Sequence, residues 1–133
     1  MRIKKLAIAA VAVGVGLATI SATPAAANAE AFTFAGVADY DHDGSQDLVV
    51  RENASGNLWL FPGDSTRGYS SQPRAQIGTG WNGFTFAGVA DWDHDGHQDI
   101  VARNDATGDL WLYPGQSVRA YSSIPRVKIG SGW

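Results

Sequence analysis

From Phe32 onward the chain alternates short apolar runs with polar, glycine-rich breaks, and no stretch sustains the 3.6-residue period of a helix. The first run, Phe32-Thr-Phe-Ala-Gly-Val-Ala-Asp39, is β-rich at its start and small toward its end. Asp47-Leu-Val-Val-Arg51, Leu58-Trp-Leu-Phe61 and Pro73-Arg-Ala-Gln-Ile-Gly78 follow it. Between the second and third lies Asn53-Ala-Ser-Gly-Asn57, a polar turn suited to a hairpin with glycine at positive φ. Pro62-Gly63 stops the third run, and a longer polar loop carrying Arg67 and Tyr69 precedes the fourth. The spacing predicts four short strands and no helix.

The same pattern then recurs. Residues 32–81 and 84–133 align without a gap at a period of 52 with about two-thirds identity, and only Asn82-Gly83 separates them. Repeats of this length belong to propellers, solenoids or arrays. The runs Leu-Val-Val and Leu-Trp-Leu-Phe are apolar on both faces, as in a small sheet packed on both sides. Stacked propeller blades, each a four-stranded sheet, have that property. The expected fold is therefore all-β, two four-stranded β-propeller-type blades.

Each repeat carries one concentrated charge. Asp39-Tyr-Asp-His-Asp-Gly-Ser-Gln-Asp47 and Asp91-Trp-Asp-His-Asp-Gly-His-Gln-Asp99 both read D-x-D-x-D-G-x-x-D. In such a turn the side chains at positions 1, 3 and 5 point into one concavity, and Gly44 or Gly96 gives the backbone freedom for the bend. The carbonyl of Ser45 or His97 then faces inward, and Asp47 or Asp99 closes the ring. Two carboxylates about 5 Å apart repel by roughly 3 kcal/mol at an effective dielectric near 20. A metal-free reading, with the aspartates capping backbone N–H groups, leaves that repulsion uncompensated. Hard oxygen donors in this number suit Ca2+ better than Mg2+. An EF-hand is excluded, because the position of its bidentate glutamate holds Val50 or Ala102.

Composition adds an address. Of the 133 residues, the first 29 begin with Arg2, Lys4 and Lys5, continue through a small and apolar run from Leu6 to Ile20, and end in A-x-A patterns at Ala27 and Ala29. This is the layout of a cleavable secretory signal, too short and too rich in small residues for an anchor. It leaves a domain over residues 30–133, expected outside the cell and off the membrane. Loss of its three positive charges and no acid takes the formal charge from −3 to −6. Eight of the thirteen acids lie in the two aspartate loops, so the acidity is local and gives no support for nucleic-acid binding. There is no cysteine, and metal loops fill the stabilising role that disulfides often take in small exported domains.

These residues together resemble the FG-GAP/VCBS repeats, the blades of integrin-α-type β-propellers with a calcium loop between their first two strands. The matching segments run from Val37 through the first loop to Val50 and from Val89 through the second to Ala102, each followed by G-x-L-W-L-[FY]-P-G. The resemblance implies two Ca2+ sites. Asp39, Asp41, Asp43 and Asp47 with the carbonyl of Ser45 would form one, and Asp91, Asp93, Asp95 and Asp99 with the carbonyl of His97 the other. It fixes no ligand, because the family spans adhesion proteins, domains appended to enzymes and other secreted proteins.

Catalysis finds little support. His42 and His94 sit at loop position 4, where side chains point to solvent, and His97 has Ser45 as its counterpart. Glu52 aligns with Asn104 and Asp64 with Gln116, so no acid pair recurs, as a glycosidase would need. Among the aromatics, Trp59 and Trp111 belong to apolar strands and read as packing. Tyr69 and Tyr121, beside Arg67 and Arg119 on the long loops, are the candidate ligand-binding residues. The expectation is a secreted, calcium-binding, non-catalytic module for extracellular glycans. The alternative is a protein-interaction or adhesion module, with a small hydrolase further behind. Two blades do not close a propeller, so the repeats are expected either to fold face to face as a sandwich or to complete a homo-oligomeric ring, six blades being favoured.

Overall fold

The computed structural model describes residues 31–133. The expected secretory signal over residues 1–29 lies outside the described residues. Phe32–Trp133 forms one compact unit of two antiparallel sheets, and among the described residues there is no helix. The first sheet runs in the order β1 (Phe32–Ala38), β2 (Asp47–Glu52), β3 (Asn57–Phe61) and β4 (Ala75–Gly78). The second repeats it with β5 (Phe84–Ala90), β6 (Asp99–Asn104), β7 (Asp109–Tyr113) and β8 (Val127–Gly130).

The eight runs read from the sequence are the eight strands, and within each sheet every strand is a meander neighbour of the next. Differences fall at ends: β4 starts at Ala75, past Pro73 and Arg74, and Pro73 lacks the N–H a ladder needs. Both sheets carry a register shift in the first strand, between Phe34 and Gly36 or Phe86 and Gly88. The β2–β3 hairpin turns at Gly56, φ 76°, whose N–H bonds the Glu52 carbonyl at 2.8 Å. Gly108 does the same for β6–β7 at the Asn104 carbonyl.

Register assigns the faces. Val49 pairs with Leu60 and Arg51 with Leu58, placing these four on one side, while Val50 with Trp59 and Leu48 with Phe61 lie on the other. The first side packs on the second sheet. Tyr40, Val49, Leu58, Leu60, Ile77 and Trp81 join Ile100 and Ala102 in one buried cluster, with Phe84, Phe86, Val89 and Tyr113 partly buried against it. The sheets approach most closely along β1 and β5, where a Cβ on Gly36 would come within 2.9 Å of Val89 Cγ2. Arg51 clamps the junction, donating to the carbonyls of Trp81 at 3.1 Å and Phe84 at 2.8 Å. Trp59 and Trp111 are packed as expected, each roofed by an arginine: Arg74 lies 3.8 Å from one indole centroid and Arg126 4.0 Å from the other.

Candidate functional site

The aspartate loops join β1 to β2 and β5 to β6, at the same end of their sheets. The sharp bend is made at two residues in each. Gly44 and Gly96 stand at φ 94° and 92°, as the sequence implies, and His42 and His94 also adopt left-handed φ, 62° and 63°. A histidine tolerates that region better than most side chains. Both imidazoles are exposed, which agrees with their expected solvent-facing position.

The last aspartate of each loop is its anchor. Asp47 and Asp99 are fully buried. Asp47 accepts from the N–H of Tyr40 at 2.9 Å and of Gly63 at 2.9 Å, and Asp99 from those of Trp92 and Gly115 at 2.9 Å. Each carboxylate thus ties its loop to the Pro-Gly turn that ends the third strand. A side chain at Gly63 or Gly115 would strike the carbonyl oxygen of Gln46 or Gln98, which explains glycine after each of those prolines. Burial pushes both carboxyls above the usual carboxylate range, the charges of Asp41 (on Asp47) and of Asp93 and Asp95 (on Asp99) push the same way, and the backbone donors oppose them. A cation would favour the charged form of both.

Asp91, Asp93, Asp95 and Asp99 each bring a carboxylate oxygen within 4.8 Å of the others, and Asp39, Asp41 and Asp43 do the same in the first loop. Such oxygen clusters could hold a metal ion. Each loop also folds onto its own donors: Asp39 accepts from the N–H of Asp43 and Gly44 at 2.9 Å, and Asp91 from Asp95 at 3.0 Å and Gly96 at 3.1 Å. A carboxylate oxygen has two acceptor directions, so these bonds leave room for a metal. The side chains of Ser45 and His97, whose carbonyls were the expected ligands, reach the long loops: Ser65 Oγ donates to Ser45 Oγ at 2.9 Å, and His97 Nδ1 lies 2.6 Å from Ser117 Oγ.

The loops differ in one neighbour. Asp47, expected to complete the first ring of ligands, stands outside its group of three, whereas Asp99 belongs to its group of four. Over the first loop lies Arg119, reaching from the second repeat. It donates to Asp41 Oδ2, to Asp43 Oδ2 at 3.0 Å and to Gln72 Oε1 at 2.6 Å. The Asp41 side chain beneath it is only 4% exposed. This guanidinium, held more basic by its hydrogen bond to Asp41 and the two aspartate charges, already supplies the first loop with a positive charge.

The four candidate ligand-binding residues therefore part company. Arg119 belongs to the first aspartate loop. Arg67 and Tyr69 are exposed on the far side of the first sheet's long loop. Tyr121 lines a cleft of about 280 Å³ between the two sheets, with Trp81, Tyr113, Thr79, Ser122 and Arg126. Gln76 Nε2 donates to the Tyr121 hydroxyl at 2.7 Å and fixes that wall. Sequence reasoning missed this cleft because its walls come from different repeats. Tyr121, already a candidate from its place on the long loop, was the one of its walls the sequence had marked. Outside the loops the acids among the described residues are occupied as acceptors: Glu52 by Ser55, Asp64 by Thr66, Asp105 by Arg103 and Asp109 by Lys128.

Residues 39–102, from the first aspartate loop to the strand after the second, match the family model of the FG-GAP-like repeat. The resemblance read from the two loops and their flanking strands is thus met over the segment holding both. No curated protein and no solved structure matches the chain.

Proposed function

We propose that the FG-GAP-like repeat pair is a secreted, calcium-stabilised and non-catalytic binding module whose ligand is an extracellular glycan, held in the cleft between the sheets. A repeat of this family with two oxygen clusters able to hold a metal is the frame for that reading. The cleft carries it. Flat rings from Trp81, Tyr113 and Tyr121 stand beside hydroxyls of Thr79 and Ser122 and the guanidinium of Arg126. Sugars present apolar C–H faces edged by hydroxyls, which this mixture of rings and donors suits. At about 280 Å³ the space fits a single sugar residue rather than a long chain.

Calcium would be held by Asp91, Asp93, Asp95 and Asp99 in the second loop, and by Asp39, Asp41 and Asp43 with Asp47 behind them in the first. Its role here is structural. Each loop is the hinge between the first two strands of its blade and is tied to the turn after the third. A cation neutralising the loop therefore stiffens three strands at once.

A glycan array run with and without calcium tests the reading, together with Tyr121→Ala and Arg126→Ala. Binding to defined sugars that both variants lose supports it. A silent array overturns the glycan assignment, and binding unaffected by either variant overturns the cleft.

A further inference from the structure

The two blades are nearly the same molecule twice, yet their aromatic residues meet different fates. Trp81 is 7% exposed and packs on Phe84, Phe86 and Tyr113 at centroid distances of 5.7, 5.4 and 4.5 Å. Its counterpart one period later, Trp133, is 69% exposed. The counterparts of its three partners one period earlier, Phe32, Phe34 and Phe61, are all exposed on the far side of the first sheet.

The polar contacts across the junction follow the same rule. Arg119 reaches back to Asp41 and Asp43. Its counterpart is Arg67, and theirs are Asp93 and Asp95, all exposed. Gln76 donates to the hydroxyl of Tyr121. The matching pair is Lys128 and Tyr69, again a donor and a hydroxyl, both exposed. Gly36 makes room for Val89, and the matching pair is Gly88 and an exposed Val37. One end of the molecule thus carries one half of a junction that its interior already makes, and the other end carries the matching half.

We propose that a second copy of this chain covers these surfaces head to tail, the far side of the second sheet of one copy against the far side of the first sheet of the next. Trp133 then packs on Phe32, Phe34 and Phe61 of the next copy, whose Arg67 enters the loop at Asp93 and Asp95. The argument is continuity with an interface the chain itself contains, together with charge complementarity between a basic and an acidic patch. It does not depend on any ligand. Such a contact is heterologous, so each copy offers one face and accepts the other. A repeated rotation closes as a ring, and about four to eight blades make a propeller. The chain-to-chain junction is the weaker of the two, because Ile124 replaces Gln72 and loses its hydrogen bond to the arginine. Association is accordingly concentration-dependent.

Light scattering and sedimentation velocity on the purified chain, in millimolar calcium and again in EDTA, test the proposal. The expected mass is two to four times that of one chain. Trp133→Ala and Phe34→Ala should each weaken association by at least about tenfold. Both sites are exposed in the single chain, so circular dichroism and melting of each variant should stay close to the wild type. Mixing the two variants is the diagnostic step: each keeps one intact face, so the mixture forms dimers and nothing larger. A single-chain mass at about 100 μM, well above typical specific affinities, overturns the proposal. So does association that neither variant weakens, or dimers in each variant alone. Association that appears only once residues 1–30 are removed would give the surface to that segment instead.

Discussion

Replacing Trp81 by alanine removes the ring on which the contact between the two sheets is centred. The side chain is 7% exposed, and three aromatic rings from the second sheet surround it. Truncating a buried tryptophan costs about 3–5 kcal/mol. The lower half of that range applies where neighbours can collapse into the gap. Here Phe84 and Phe86 lie on a strand, and Tyr113 is bound by Arg126 at 2.9 Å, so collapse is limited and a cost near 4 kcal/mol is expected. Small domains have about 5–15 kcal/mol in all. For a domain of this size each kcal/mol moves the melting point by about 4–8 °C, so Tm should fall by at least about 16 °C. Urea unfolding followed by circular dichroism measures the difference directly. The same substitution at Trp133, measured on the dissociated chain, should cost less than about 1 kcal/mol. A loss below about 1 kcal/mol at Trp81 would refute the reasoning, since the two sheets would then not depend on this packing.

Three further outcomes concern the metal. At about 2 mM calcium and a Kd near 0.1 mM, each loop adds roughly 1.8 kcal/mol, so chelation should lower Tm and Asp93→Ala should reproduce part of the loss; a melt indifferent to both EDTA and Ca2+ would remove the assignment. The carboxyls of Asp47 and Asp99 stand above the usual range, so they take up protons earlier than ordinary aspartates as pH falls. Protonation opposes the cation, and the calcium contribution should weaken on acidification from that side. Arg119→Ala should raise calcium affinity at the first loop by about twofold to fivefold, the worth of a surface ion pair, and leave the second unchanged. Calorimetry on Asp93→Ala, which isolates the first loop, reads this. Unaltered affinity there would show that the arginine and the metal do not compete.

Much of this molecule is local and therefore legible in its sequence. The strands follow from short apolar runs punctuated by Asn-Ala-Ser-Gly-Asn and Pro-Gly, because a hairpin's register depends on residues close in the chain. The acidic clusters follow from four aspartates around Gly44 and Gly96, because a nine-residue turn brings its own side chains together whatever surrounds it. Identity between the repeats even implied equal blades. Only the tertiary structure decided that they are unequal. Trp81 and Trp133, Asp41 and Asp93, Tyr40 and Trp92 occupy matching places in matching sheets, but one of each pair is covered by the neighbouring repeat and the other is not. Arg67 and Arg119 read alike for the same reason, and the fold gave one of them an acidic loop to bind. A sequence specifies the surface that a repeat offers. What lies against that surface depends on contacts between residues dozens of positions apart, and those exist only once the two sheets have packed.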